Sequence, residues 1–196
     1  MKTTLNEIRA KIPCSSGWSK LLTSLNKTKA DDDEITFKYI LESNGIEDAV
    51  WCLKVKDYKE VCLFCADVAE LVLPIFEKKH PDDKRPREAI EGVRLYHSGD
   101  ITIDALRNLR TAAAYAADAA ADADAAYAAD AAADADAAYA AADAAAAADA
   151  DAAYAAADAA AAADADAAYA AADAAADAAR KEQWNKIEAL FIKYFC

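Results

Sequence analysis

Residues 111–179 read TAAAYAADAAADADAAYAADAAADADAAYAAADAAAAADADAAYAAADAAAAADADAAYAAADAAADAA. After a single Thr, this stretch holds 49 Ala, 14 Asp and 5 Tyr, and it contains no Lys, Arg, Glu, Gly or Pro. Alanine has the highest intrinsic helix propensity, so the composition predicts helix almost throughout. We call residues 111–179 the Ala/Asp/Tyr array. The order of its residues must then show whether the helix is continuous or broken.

The array is an internal repeat that its tyrosines mark. They are Tyr115, Tyr127, Tyr139, Tyr154 and Tyr169. Two 12-residue units (YAADAAADADAA) precede two 15-residue units (YAAADAAAAADADAA), and each unit carries an Asp-Ala-Asp triplet just before the next tyrosine. Internal repetition of this kind is typical of arrays in which each unit packs on its neighbours.

The spacing favours a stack of short helices over one long helix. In a straight helix, a 12-residue step rotates the tyrosine by about 120° and a 15-residue step by about 60°, so the rings would share no face. Aspartates four residues apart, such as Asp118 and Asp122, would also repel each other with no cation nearby. Asp is a preferred N-cap, so Asp122 is expected to end one helix and Asp124 to cap the next. One tyrosine per unit should fill the space that the alanines leave. A long helix or a bundle remains the alternative.

Residues 1–110 have the composition of a globular helical domain with a modest core. Asn44-Gly45 and Ser98-Gly99 read as helix ends. Ser15 or Ser16, and the acidic run at 31–34, read as helix starts. A long core helix is expected from Tyr58 to Lys79, with Pro74 kinking or splitting it. No convincing alternating strand pattern is present.

The last segment, 180–196, predicts an amphipathic helix. Its apolar stripe consists of Trp184, Ile187, Leu190, Phe191, Tyr194 and Phe195. A repeat array needs a cover at both ends, so this helix is expected to cap the far end and residues 1–110 the near end. The predicted fold is therefore all-α: a helical domain (1–110), a solenoid-like array of short helices (111–179) and a capping helix (180–196).

The charge is concentrated in the array. The chain has 35 acidic and 22 basic residues, and removing the 14 array aspartates leaves 21 against 22. Such a surface repels nucleic acid and attracts proteins that bind nucleic acid. Layers ~8–10 Å apart with three aspartates each would carry roughly one charge per 3 Å. Duplex DNA carries one per ~1.7 Å, whereas a single helical rod would carry one per about 7 Å.

The candidate partner-binding residues are the array aspartates. They are Asp118, Asp122, Asp124, Asp130, Asp134, Asp136, Asp143, Asp149, Asp151, Asp158, Asp164, Asp166, Asp173 and Asp177. A basic nucleic-acid-binding protein is the expected partner, without direct nucleic-acid binding. The sequence does not predict the oligomeric state.

Motifs for catalysis or metal binding are weak. Cys62 and Cys65 form a CxxC, but a zinc site needs a second pair at ligand spacing, so two cysteines on a core helix are the simpler interpretation. His80 and His97 are scattered, and four glycines leave no phosphate-binding loop. An EF-hand needs a Gly and a terminal Glu, which the array lacks. We therefore predict no catalytic residue, no metal site and no cofactor.

The chain is expected to work in the cytoplasm. Its first residues, Met1 to Glu7, lack the apolar core of a signal peptide. Five cysteines are an odd number, which favours a reducing compartment. Aspartates interrupt the alanines too often for a membrane span.

Part of the chain resembles a known family. The runs CLFCADVAE (62–70), IFEKK (75–79) and PDDKRPREAI (81–90), with the Gly99 turn and an Ala-rich helical tail, are similar to the "putative immunity protein" family of bacteria and their phages. The resemblance covers roughly residues 46–182. It implies toxin neutralisation and carries over no catalytic residue.

Two functional hypotheses follow. The first is a non-enzymatic inhibitor whose aspartates mimic nucleic-acid charge and occupy the basic groove of a nucleic-acid-binding protein. A nuclease toxin (an immunity role) and a bacterial defence complex such as CRISPR (a phage anti-defence role) are both eligible targets. The second is a structural or interaction module in which the array is a spacer.

Overall fold

The computed structural model describes residues 1–56, 59–133, 140, 144, 146–148, 150–153, 155 and 165–196, the last range without the side chains of 165–171. Its elements are β1 (Lys2–Thr4), α1 (Leu5–Ala10), α2 (Ser15–Ser24), β2 (Glu34–Thr36), α3 (Phe37–Asn44), α4 (Ile46–Cys52), a 3₁₀ turn (Leu53–Val55), α5 (Lys59–Glu70), α6 (Leu73–Lys79), α7 (Arg85–Ser98), α8 (Ile103–Ala119), α9 (Ala123–Ala133) and α10 (Ala165–Phe195). Residues 140, 144, 146–148, 150–153 and 155 are also helical. The chain is thus mostly helical, as predicted.

Two short strands correct the expectation that the chain has none. β1 pairs antiparallel with β2, with Lys2 opposite Thr36 and Thr4 opposite Glu34. The central residues Thr3 and Ile35 are the buried ones. A three-residue strand offers one inward position, so no alternating pattern is visible in the sequence.

The predicted helix ends at proline and glycine are confirmed. The helix expected from Tyr58 to Lys79 is split, because α5 ends at Glu70 and Pro74 lies in the first turn of α6. Proline fits there since the first-turn N–H groups have no helical partner. Gly99 ends α7 with φ +90°, a backbone conformation that other residues adopt at a cost.

The helix starts differ from the prediction at two places. Cys14, rather than Ser15 or Ser16, is the N-cap of α2. Thr36 caps α3 by accepting a hydrogen bond from Tyr39 N at 3.1 Å, because β2 occupies the preceding residues. The acidic run instead binds Lys27, whose Nζ lies 2.6 Å from Asp31 Oδ2.

The aromatic face of α10 packs against the N-terminal helices. Phe191 lies between Phe37 and Phe64, with ring centroids 6.3 and 6.2 Å away. Phe195 also contacts Phe64, at 5.4 Å, and its carbonyl accepts a hydrogen bond from the Met1 amine at 2.8 Å. The helix that we predicted as a cap of the array therefore covers the core of the N-terminal helices. Its rings find deep apolar partners there, which alanine methyls do not supply.

A polar cluster around Asp67 joins α5, α7 and α10. Asp67 accepts hydrogen bonds from Tyr194 Oη at 2.7 Å and from Arg94 Nη2 at 2.9 Å, and Lys193 Nζ lies 3.5 Å away. Burial opposes ionisation of Asp67, but these hydrogen bonds and positive charges outweigh it, so its pKa lies below the ordinary value. Burial and the Asp67 charge raise the pKa of Tyr194 to about 12. The cluster thus requires an ionised Asp67.

Asp67→Asn is expected to lower the free energy of unfolding by about 2 kcal/mol at neutral pH, because hydrogen bonds to a charged group are lost. The folded-state pKa of Asp67 is lowered, so its contribution is present above the ordinary value of 3.8 and is lost as the pH falls through the folded-state pKa. Urea unfolding of wild type and variant at pH 6, 4 and 3 should show the two converging in acid. Asp82→Asn, in an exposed loop, is the control. A difference in stability between wild type and Asp67→Asn that does not change with pH would contradict an ionised Asp67.

Candidate protein-interaction surface

The first Asp-Ala-Asp triplet of the array forms a turn. α8 ends at Ala119, Ala120 has extended backbone (φ −72°, ψ 128°), and α9 begins at Ala123. Asp122 lies at the start of α9, where its carbonyl accepts a hydrogen bond from Ala126 N at 3.0 Å. Asp124, which we expected to cap α9, is instead the second residue of that helix and lies in its first turn. An unbroken helix from Thr111 through the array is therefore excluded.

Alanine forms the packed faces of α8 and α9. The buried alanines of these two helices are Ala113, Ala116, Ala117, Ala125, Ala128, Ala129, Ala131 and Ala132. Both helices pack on α7, and α9 also packs on α5 and α6. Small side chains let helices approach closely, so the array begins as a layer against the N-terminal helices.

The tyrosines of α8 and α9 point outward, which corrects our expectation that they fill space between helices. Tyr115 is 62% exposed and Tyr127 is 41% exposed. Closely packed alanine faces leave no room for a ring, so the ring takes the opposite side of each helix. Tyr139, Tyr154 and the side chain of Tyr169 lie outside the described residues.

The predicted aspartates fall into three groups. Asp118, Asp122, Asp173 and Asp177 are exposed, Asp130 and Asp151 are half-buried, and Asp124 is buried. Asp134, Asp136, Asp143, Asp149, Asp158, Asp164 and the side chain of Asp166 lie outside the described residues. The exposed and half-buried ones can meet a partner, whereas Asp124 has another role.

Carboxylates and rings share the outer face of the array. Tyr115 and Asp118 lie three residues apart on α8, and Asp122 follows in the turn between α8 and α9. An open cleft brings Tyr127 of α9 together with Asp173, Asp177 and the cation Arg180 of α10, over a floor of alanines. We call the six residues Tyr115, Asp118, Asp122, Tyr127, Asp173 and Asp177 the acidic–aromatic surface.

Asp124 anchors the array to α6. The carboxylate is 0% exposed and accepts a hydrogen bond from Lys79 Nζ at 2.7 Å. Asp122 Oδ2 lies 3.7 Å from the same nitrogen. The hydrogen bond to Asp124 is the main cause that raises the pKa of Lys79, against a smaller opposing effect of burial.

Sequence reasoning missed Lys79, although a signal for its role was present. The array contains no cation, so any aspartate that it buries must pair with a cation from another part of the chain. Lys79 closes α6 directly before the loop at His80. Nothing in its local sequence distinguishes it from Lys78.

Of the cysteines and histidines that we considered for chemistry, Cys62 and Cys65 lie on α5, His97 lies on α7 and His80 directly follows α6. Cys65 is buried in the core on α5, and Cys62 packs against that core. His80 stacks near Phe76, with ring centroids 4.9 Å apart. Within the described ranges, no three His, Cys, Asp or Glu side chains are positioned to hold a metal ion. No helix in the part of the chain that the structure describes is long and apolar enough to cross a membrane.

Comparison with known families identifies the class of this protein. The model of the family "Imm-5 like putative immunity protein" matches residues 52–190, which is more than two thirds of the chain. The chain therefore belongs to this family of immunity proteins, and the resemblance seen in the sequence is confirmed. The match includes α5 to α9 and most of α10, so it spans both the Lys79 anchor and the acidic–aromatic surface. No curated protein matches the chain significantly. The same holds for solved structures.

Proposed function

We propose that this immunity protein inhibits a nucleic-acid-binding toxin without catalysis, by placing its acidic–aromatic surface on the toxin's basic groove. The observation that carries the proposal is the outward position of Asp118, Asp122, Asp173 and Asp177 in an array without a cation. Family membership supports a protein partner that is a toxin, in preference to a host defence complex.

Charge density supports mimicry of nucleic acid by this surface. The turn at Asp122 shows one way in which an Asp-Ala-Asp triplet breaks the helix. We propose that the array as a whole is a solenoid-like stack of helices. With Asp124 buried, stacked layers ~8–10 Å apart would display two carboxylates each, roughly one per 4–5 Å, which is still closer to duplex DNA than a rod would come.

The exposed tyrosines add a preference for arginine on the partner. A tyrosine ring buries a large area at low entropic cost, and such rings are enriched among residues that dominate binding energy. A guanidinium stacks on an aromatic face and forms bidentate pairs with a carboxylate. Tyr115 beside Asp118 offers both groups. A basic groove that binds nucleic acid in the cytoplasm is expected to present such arginines.

Contacts between the array and the core argue against a spacer. α9 packs on α5, α6 and α7, and α10 packs on α3, α4 and α5. A spacer would hold two modules apart, whereas these two helices lie against one set of N-terminal helices.

Asp118→Asn/Asp122→Asn is expected to weaken binding to a nuclease toxin whose gene lies next to an immunity gene of this family by about 10-fold, because each exposed charge pair contributes up to ~1 kcal/mol. Wild-type affinity should itself fall steeply between 50 and 300 mM salt, and the variant should show a shallower dependence. Titration calorimetry at the two salt concentrations measures both effects.

The matched control is Glu42→Gln/Glu47→Gln, which changes the net charge equally on the exposed sides of α3 and α4. Its affinity should stay within twofold of wild type. If both variants lose the same affinity, the cause is a long-range effect of net charge, and the proposed contact is wrong. If the wild-type protein does not bind the toxin, the proposal that the two form a complex is wrong.

A further inference from the structure

A small cavity separates the start of α2 from the end of α4, and two cysteines line it. Cys14 is the N-cap of α2 and Cys52 is the last residue of α4. The other walls are largely apolar, including Leu21, Trp18 and Trp51. The cavity measures about 20 Å³, which is room for one molecule the size of water. This size suits a very small reactant.

The environment of Cys14 favours its thiolate. Cys14 is exposed, its Sγ accepts a hydrogen bond from Gly17 N at 3.4 Å, and Ser16 Oγ lies 3.5 Å away. The hydrogen bonds from Ser16 and Gly17 lower the pKa of Cys14, although burial and the charge of Asp48 oppose them. A thiolate at a helix N-terminus is the form of cysteine that attacks oxidants.

Cys52 lines the same cavity, but it is buried where Cys14 is exposed. It is 5% exposed, and within the described residues its Sγ makes no hydrogen bond. Burial, with the nearby charge of Asp48, raises its pKa to about 12, so it stays protonated. Asp48 is itself held by a hydrogen bond from Asn44 Nδ2 at 2.8 Å. Two residues with thiols of different reactivity therefore line one water-sized space.

We propose that Cys14 and Cys52 form a peroxide-sensitive thiol pair. The Cys14 thiolate attacks one oxygen of hydrogen peroxide, the O–O bond breaks, and Cys14 sulfenic acid and hydroxide result. The Cys52 sulfur then bonds to the Cys14 sulfur, the S–O bond breaks, and the Cys52 proton leaves with the hydroxyl as water. Two thiols lose two electrons in total, and the peroxide becomes two waters. This modification site is independent of the proposed toxin contact.

The test treats the reduced full-length chain with hydrogen peroxide and follows it by intact mass and peptide mapping. Wild type should lose two hydrogens and yield a Cys14–Cys52 linked peptide. Cys52→Ser should stop at Cys14 sulfenic acid, which dimedone traps, and Cys14→Ser should form no such link. Serine is a good N-cap, so Cys14→Ser should keep α2 intact.

Cys196 is the internal control, because it is the other exposed thiol and burial raises its pKa. Cys14 should be oxidised roughly 10-fold faster than Cys196, and Cys196→Ser should behave as wild type. Equal rates at Cys14 and Cys196 would overturn the proposal. So would a wild-type chain that accumulates sulfenic or sulfinic acid at Cys14 without the disulfide.

Discussion

Phe191→Ala is expected to lower the free energy of unfolding by about 4 kcal/mol, the usual cost of removing a fully buried ring. Phe191 is 0% exposed and lies between Phe37 and Phe64, so the lost ring leaves a cavity that three separate helices would have to close. Urea unfolding followed by circular dichroism measures the change.

The neighbouring residue supplies the control for that prediction. Ile192 is 48% exposed on α10, and Ile192→Ala should stay within about 0.5 kcal/mol of wild type. If both variants lose the same stability, the helix does not dock through its aromatic face. The description of α10 as part of the N-terminal core would then be wrong.

Lys79→Met is expected to cost about 3–5 kcal/mol, because it strips the buried Asp124 carboxylate of its cation. Asp124 Oδ1 is 2.7 Å from Lys79 Nζ, and the second carboxylate oxygen has no hydrogen-bond partner among the described residues. Removing the lysine therefore leaves an uncompensated charge against alanines. The same unfolding assay, with the pH held at 7, measures the loss.

Lys78→Met makes the same chemical change one residue earlier, at an exposed position, and should cost less than about 0.5 kcal/mol. Lys79→Met/Asp124→Leu removes both charges and should recover most of the stability, since a buried ion pair can be replaced by apolar groups. A double variant that is no better than Lys79→Met would show that Lys79 acts through something other than Asp124.

The helix boundaries were predictable where single residues enforce them. Pro74 splits the core helix, Gly99 ends α7, and Thr102 caps α8 by accepting a hydrogen bond from Ala105 N at 3.2 Å. These residues act through their own backbone or a neighbour a few positions away. The two strands were missed because their pairing joins residues more than 30 positions apart, such as Lys2 and Thr36.

The candidate surface was predictable in its charge but not in its orientation. Composition placed the negative charge in the array, and the Asp-Ala-Asp triplet marked the first turn. Asp122 and Asp124 have almost identical neighbours in sequence, yet one is exposed and the other is buried. Their difference comes from α9, which begins between them and packs Asp124 against α6, where it pairs with Lys79. The outward position of Tyr115 and Tyr127 could not be predicted for a similar reason. It follows from the short distance between the packed helices, which depends on tertiary contacts and not on the local sequence.

The two attachments of the array bear on how its length can evolve. The array is attached to the N-terminal helices at two places, by Asp124 to Lys79 on α6 and by α10 through Phe191. Closing a loop of twice the length costs only about 0.6 kcal/mol more. Loop-closure entropy therefore sets little limit on the number of units between the two attachments. Duplication of repeat units would then change the area of the anionic surface without changing the N-terminal helices.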